Sequence, residues 1–242
     1  MKTPVAILAG LFFGTFGVFS AVWTVVFLVR GQFFDAVVAL GVSVFCLAFI
    51  LPLRKVLTRN VTTVGEFDRE GTTFRPDRGV DTPAQVSLLG LVVASAFTAI
   101  LVPLGRFGIP VPPFMRYSLP FVSAVIVAMG APMLWRNVSR GSTKYLRLTP
   151  GGFELSQGLR TQSGDWEQVR DITDEAPTQQ APTPGAVVFV MSDDSAPTIA
   201  AQSMTPDGTA MRELARFYWQ HPESRGELTD GRALKRLADQ KG

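Results

Sequence analysis

One cysteine, Cys46, and one histidine, His221, stand in a chain of 242 residues. A single cysteine closes no internal disulfide, so a disulfide-stapled secreted domain is excluded. One cysteine and one histidine do not make a Cys/His zinc site. Charge is also scarce: 18% of residues are Asp, Glu, Lys or Arg, against roughly 25% in soluble domains. Apolar content, 47%, is ordinary, yet the mean hydropathy is positive at +0.23. Together these values imply apolar residues gathered into blocks. The chain is too apolar for intrinsic disorder, and it shows no collagen triplet and no repeat at solenoid spacing. There is no P-loop, no nucleophile elbow, no H-E-x-x-H and no dinucleotide fingerprint. The expectation is therefore no enzyme, no cofactor and no metal.

Four blocks carry no ionisable residue: Pro4 to Val29 (26 residues), Ala36 to Leu53 (18), Val86 to Gly105 (20) and Ser118 to Trp135 (18). A helix needs about 20 apolar residues to cross a hydrocarbon core of roughly 30 Å. Buried helices of soluble proteins rarely run so far without a charge, so four transmembrane helices are expected. The first run is too long for the h-region of a signal peptide, and no A-x-A site follows it. It reads as an uncleaved helix.

This gives a transmembrane hairpin over 1–55 (helices 4–29 and 33–53), a loop over 56–85, a second hairpin over 86–140 (helices 86–105 and 118–135) and a C-terminal unit over 141–242. Lys and Arg are concentrated in the long second loop and after the fourth helix. Positive-inside counting then places both termini in the cytoplasm and the chain, multi-pass, in a bacterial plasma membrane. Arg54, Lys55, Arg59, Arg136 and Arg140 are the residues expected at the membrane interface, where they fix topology beside anionic headgroups. Four-residue steps of small residues (Gly10/Gly14, Gly17/Ala21, Gly90/Ala94, Ala124/Ala128) let helix backbones approach, for bundle packing or for an oligomer face. Pro103, Pro120 and Pro132 kink or terminate helices. Ionisable residues at membrane depth mark ion pathways, and these helix cores hold none. Asp35, at the start of the second helix, reads as a solvated or Arg30-paired group, and Cys46 as a small packing residue.

In the loop, Val61 to Phe67 and Thr72 to Phe74 read as a β-hairpin, with Gly71 supplying a positive φ at its turn. Pro76 and Pro83 break the chain after it. In the C-terminal unit, strands are expected at Lys144 to Thr149, at Phe153 to Ser156 (running on toward Arg160), over Trp166 to Ile172 with a bulge, at Ala186 to Met191 and at Thr198 to Ala201. Ala176 to Gly185, rich in Pro and Gln, reads as a loop. A helix starts at Thr205–Pro206, with Met211, Leu214, Ala215 and Tyr218 on one face. A short polar helix, Gly231 to Gln240, follows a cap at Asp230.

Chemistry-bearing groups are few. His221 has no nucleophile suggested by position. Asp193–Asp194 and Asp174–Glu175 are adjacent carboxylates in turns, short of the oxygen set a hard cation needs. Residues 1–140 carry 12 basic and 6 acidic residues, and 141–242 carry 11 and 14. The basic excess thus belongs to the membrane flanks, and no nucleic-acid partner is implied.

Tyr145-Leu-Arg-Leu-Thr-Pro-Gly-Gly-Phe-Glu-Leu155, followed by Trp166, Val169 and Ile172, resembles the opening of bacterial PH-like membrane-protein modules. The stretch Phe217 to Leu234 is similar to the tails of uncharacterised actinobacterial membrane proteins. The resemblance implies a membrane α-helical protein with a C-terminal α+β PH-like domain, a small antiparallel sheet or barrel closed by a C-terminal helix. A PH fold has seven strands and 141–242 offers five, so the loop hairpin is expected to supply two. The function implied is a PH-like cytoplasmic module for protein-partner binding or membrane-complex assembly. The alternative is a small lipid or solute transport component. Sheet edges at Lys144–Thr149 or Ala186–Met191 are the expected places for a partner's strand. The expected partners are the lipid bilayer and a protein.

Overall fold

A computed structural model describes residues 3–58, 61–140, 144–157, 160–175, 185–206 and 208–239. Arg59, the side chain of Arg140 and residues 176–184 of the loop expected over 176–185 lie outside the described residues. The chain divides into two compact units, 1–54 with 81–139, and 55–80 with 140–242.

The first unit is helical: α1 (Thr3–Val29), α2 (Phe33–Leu57), α3 (Arg78–Leu101) and α4 (Ser118–Arg140). All four are long and apolar enough to cross a membrane. Large apolar side chains face outward, Leu11 and Phe12 on α1 and Phe121, Met129 and Trp135 on α4 among them. Such a surface is costly in water and is the ordinary surface of a helix in lipid. The helices pack through small residues and rings. A Cβ at Gly90 would lie 2.6 Å from the Gly41 carbonyl oxygen, and one at Gly41 would lie 2.9 Å from the Ala94 Cβ. The Phe13 and Phe49 rings lie 4.9 Å apart, and the Ser43 hydroxyl donates to the Gly17 carbonyl at 2.9 Å.

The helix bounds differ from the charge-free runs. α3 begins eight residues before Val86, and Pro83 lies inside it and does not break the chain. Asp77 explains the early start: its carboxylate accepts the Gly79 N–H at 2.7 Å, an N-cap bond that satisfies a first-turn amide. Charged residues in that turn hid the helix from a rule that ends at the first charge.

The second unit is α+β. Its strands are β1 (Val64–Phe67), β2 (Thr72–Arg75), β3 (Tyr145–Leu148), β4 (Gly152–Gln157), β5 (Arg160–Asp165), β6 (Val169–Thr173), β7 (Ala186–Met191) and β8 (Thr198–Ala200), followed by α5 (Thr209–Gln220) and α6 (Arg232–Asp239). Two antiparallel sheets form, ordered β1-β2-β3-β4-β5 and β6-β7-β8. The loop hairpin is part of the larger sheet: Thr72, Thr73 and Phe74 face Leu148, Arg147 and Leu146. The loop hairpin thus supplies two strands to this sheet, as expected, and lies within the α+β unit. One core serves both sheets. Phe153 of β4 stacks on Phe189 of β7 at 3.8 Å. Phe74, Leu146, Ile172, Met211, Leu214 and Tyr218 are fully buried in the same cluster.

Four local expectations are corrected. Gly71 does not take a positive φ. The turn is instead held by the Asp68 carboxylate, which accepts the Glu70 and Gly71 amides at 2.8 and 2.9 Å, and Gly71 is needed because a Cβ would press on the Leu148 carbonyl. Trp166 does not start a strand. It occupies a 3-10 turn before β6, although the bulge falls where it was expected, between Val169 and Asp171. β5 was not foreseen. α5 begins at Thr209 and not at Thr205, after Gly208 at φ +80.

Candidate binding surfaces

Among the described residues no group of three or more His, Cys, Asp or Glu is placed to hold a metal ion. Three of the four turn carboxylates are occupied: Asp193 accepts from the Ser195 amide and hydroxyl, Asp194 pairs with Arg170, and Asp174 pairs with Arg212. The His221 ring stacks on Phe217, with Nδ1 3.0 Å from the Phe217 carbonyl oxygen. This contact gives it a packing role. A buried polar group missed in the sequence lies beside it. Glu227 accepts from the Tyr218 phenol at 3.1 Å and takes both arms of Arg236 at 2.9 and 3.0 Å. Burial first, and the Glu227 charge next, push the Tyr218 phenol up to about 12.

The two sheet edges expected to receive a partner are not edges. β3 is paired on both sides, by β2 and β4, and β7 lies between β6 and β8. The Tyr145–Leu148 alternation and the continuous Ala186–Met191 run report one and two buried faces, and burial is greatest inside a sheet, so the pattern that made these strands conspicuous also removes them from the rim. The terminal strands are β1 and β5 in one sheet and β6 and β8 in the other. β1 is overlain by α6: Leu234 sits over Gly65, and the Phe67 ring over Gly231. On β6, the Arg216 guanidinium donates to the Ile172 carbonyl. On β8, the Ala200 amide donates to the Gln157 side chain. β5 pairs with β4 over six residues, from Gly152 opposite Asp165 to Gln157 opposite Arg160, and nothing pairs beyond it in the sheet. Its sequence, Arg-Thr-Gln-Ser-Gly-Asp, buries almost nothing, so hydrogen bonds to β4, the ladder and the Thr161 hydroxyl on the Ser156 hydroxyl, hold it in place.

The interfacial basic residues have more than one fate. Arg54 lies in α2 and Arg136 in α4. Lys55 is drawn into a clasp: its ammonium lies 3.1 Å from Asp77 Oδ2. That carboxylate also accepts the Thr62 amide and hydroxyl, each at 2.9 Å. Burial alone would raise the Asp77 carboxyl, but the Thr62 and Gly79 amides, the Lys55 ammonium and the Thr62 hydroxyl together hold it down at about 2. An aspartate directly before a helix was the available signal. Asp35 also departs from expectation. It is 4% exposed, pairs with no described arginine, and accepts the Gly108 amide at 2.9 Å. Its partner loop is 73 residues away in sequence, so no local pattern could show the contact.

Counting the hairpin changes the charge of the α+β unit. Lys55, Arg59, Arg69, Arg75, Arg78 and Arg140, set against Glu66, Asp68, Glu70 and Asp77, bring −3 for 141–242 to −1 for the whole unit.

No protein-family model, curated protein or solved structure matches this chain.

Proposed function

We propose that this chain is a membrane-anchored docking protein. Its α+β unit, PH-like in plan, holds a protein partner on the cytoplasmic side of a bacterial plasma membrane. Two antiparallel sheets around one core, with helices at the C-terminal end, support the PH-like reading. Eight strands against the seven of that fold make a departure, as does the order of five and three. The Lys and Arg excess in the second loop and after α4 supports cytoplasmic termini.

The observation that carries the proposal is the open edge of β5. An unpaired strand presents a row of N–H and C=O groups that a second chain can extend by main-chain hydrogen bonds. Transport is less well supported. The Thr24, Ser43, Ser87 and Thr98 hydroxyls, all on the spanning helices, donate to helix carbonyls at 2.8–2.9 Å and so are engaged in helix packing.

Consecutive residues of an edge strand turn their N–H groups alternately toward and away from the neighbour. Of Gln162→Pro and Ser163→Pro, one therefore breaks the β4 ladder and lowers the melting temperature. The other removes an outward donor and leaves the melting temperature unchanged. With a photocrosslinker placed in β5 of the full-length protein in cells, the outward-facing proline is expected to abolish a discrete protein adduct. Gly151→Ala, where a Cβ meets nothing within 4 Å, is expected to keep it. An adduct that survives the outward-facing proline overturns the proposal.

A further inference from the structure

The connections between α1 and α2 and between α3 and α4 lie at the same end of the helical unit, because α1 and α3 both run toward it. The bond from the Gly108 amide to Asp35 Oδ1 joins them there. Between them is an open pocket of about 430 Å³, lined by Gln32, Phe33, Asp35, Arg106, Phe107 and Gly108 among others. Asp35 is more than nine-tenths buried. Its Oδ1 is satisfied by Gly108, and its Oδ2 accepts no hydrogen bond from any described residue. A buried carboxylate is retained at such cost only when it has partners. Gly108 leaves the approach open: a Cβ there would stand 2.6 Å from Asp35 Oδ2 and 3.4 Å from Gln32 Nε2. Arg106, on the rim, pairs with no described carboxylate. The pocket begins two residues beyond the end of α1, the level at which an apolar span gives way to headgroups.

We infer that this pocket binds a zwitterion with a primary ammonium group. The ammonium sits on Asp35 Oδ2 and against the Phe33 and Phe107 rings, and the anionic group sits on Arg106. The carboxylate needs an N–H donor to complete its shell, and aromatic faces add attraction for a cation. The anionic end needs a fixed cation, which Arg106 supplies. A quaternary ammonium has no N–H to donate to Asp35 Oδ2. Ethanolamine is therefore taken in preference to choline. The same chemistry is offered by the headgroup of an ethanolamine phospholipid and by free phosphoethanolamine.

The test uses the full-length protein. It is reconstituted in nanodiscs of mixed phosphatidylethanolamine and phosphatidylcholine, and the lipids that remain bound are counted by native mass spectrometry. Phosphoethanolamine is titrated separately into protein held in phosphatidylcholine alone. Wild type is expected to retain the ethanolamine lipid over the choline lipid by about tenfold or more. Binding of free phosphoethanolamine without that lipid preference assigns the site to a soluble zwitterion and keeps the inference. Asp35→Asn preserves an oxygen for the Gly108 amide and removes only the charge, so it should lose the preference at an unchanged melting temperature. Should Asp35→Asn fail to fold, Gly108→Ala, which keeps the charge and fills the approach, carries the same expectation. Equal retention of both lipids with no phosphoethanolamine binding overturns the inference, as does full binding by a folded Asp35→Asn or, failing that, by Gly108→Ala.

Discussion

Replacing Asp77 by Asn tests whether the clasp at the end of α2 and the start of α3 stabilises the α+β unit. The carboxylate takes four donors, the Thr62 amide and hydroxyl, the Gly79 amide and the Lys55 ammonium, and its side chain is 6% exposed. A carboxyl held near 2 when its ordinary value is 3.8 corresponds to about 2 kcal/mol of folding free energy at neutral pH, at roughly 1.4 kcal/mol per unit. Asp77→Asn should therefore lose about 2 kcal/mol. The sign in pH follows from a folded value below the unfolded one. The contribution is complete well above 3.8, shrinks as pH falls below it, and is lost as pH falls through about 2. Urea unfolding of the full chain in mild detergent measures this. With Trp23→Phe and Trp135→Phe, the remaining indoles, Trp166 and Trp219, report on the α+β unit alone. The gap between wild type and Asp77→Asn should be full at pH 6 and visibly smaller at pH 3. Equal stabilities at pH 6, or a gap indifferent to pH, would refute the electrostatic account of the clasp.

Three further outcomes are expected. Gly90→Val places a side chain within 2.6 Å of the Gly41 carbonyl oxygen and 2.8 Å of the Phe45 nitrogen. Backbone atoms cannot rotate aside, so the melting temperature in detergent should fall by the equivalent of about 1–3 kcal/mol, whereas Gly10→Ala, with nothing within 4 Å, should be neutral. Trp166→Phe removes the indole N–H that donates to the Thr149 carbonyl at 2.8 Å and leaves that carbonyl unpaired, a loss of about 1–3 kcal/mol in the same urea assay. Absorbance titration at alkaline pH should show a phenol ionising near 12 that disappears in Tyr218→Phe. Because the folded value is the higher one, this phenol's contribution to stability is present below its ordinary value of 10.0 and lost as pH rises through 12.

The parts of the fold legible in the sequence are those governed by local pattern. Four charge-free runs announced four spanning helices because a hydrocarbon core tolerates no ionised side chain without a partner. The Tyr145–Leu148 alternation and the Ala186–Met191 run announced strands because one or both faces are buried. β5 was illegible for the converse reason. Arg160 to Asp165 buries almost nothing, and only the bonds to β4 make it a strand. The misplaced edges have the same origin, since apolar pattern reports burial and burial peaks at the centre of a sheet. Asp35 and Gly108 could not be connected from sequence, because their contact depends on two helical hairpins closing at one end.

The most consequential feature is that the α+β unit is assembled from two segments of chain. β2 lies in the loop between two membrane hairpins, yet it supplies a ladder to β3 and a fully buried ring, Phe74, to the common core. The Thr72 hydroxyl donates to the Leu228 carbonyl at 2.6 Å, across 156 residues of sequence. The Asp77 amide donates to the Ser203 carbonyl at 3.0 Å. Without residues 64–75, β3 becomes an unpaired edge, Leu146 and Leu148 lose the cover of Phe74, and α6 loses the glycine-lined surface at Gly65 on which Leu234 rests. The sheet is therefore complete only when both membrane hairpins have been made and the chain between them has returned to the C-terminal strands. β1 and β5 are the two terminal strands of this sheet; α6 overlies a face of β1 at Gly65, whereas the side chains of β5 bury almost nothing, which leaves β5 the more open of the two edges.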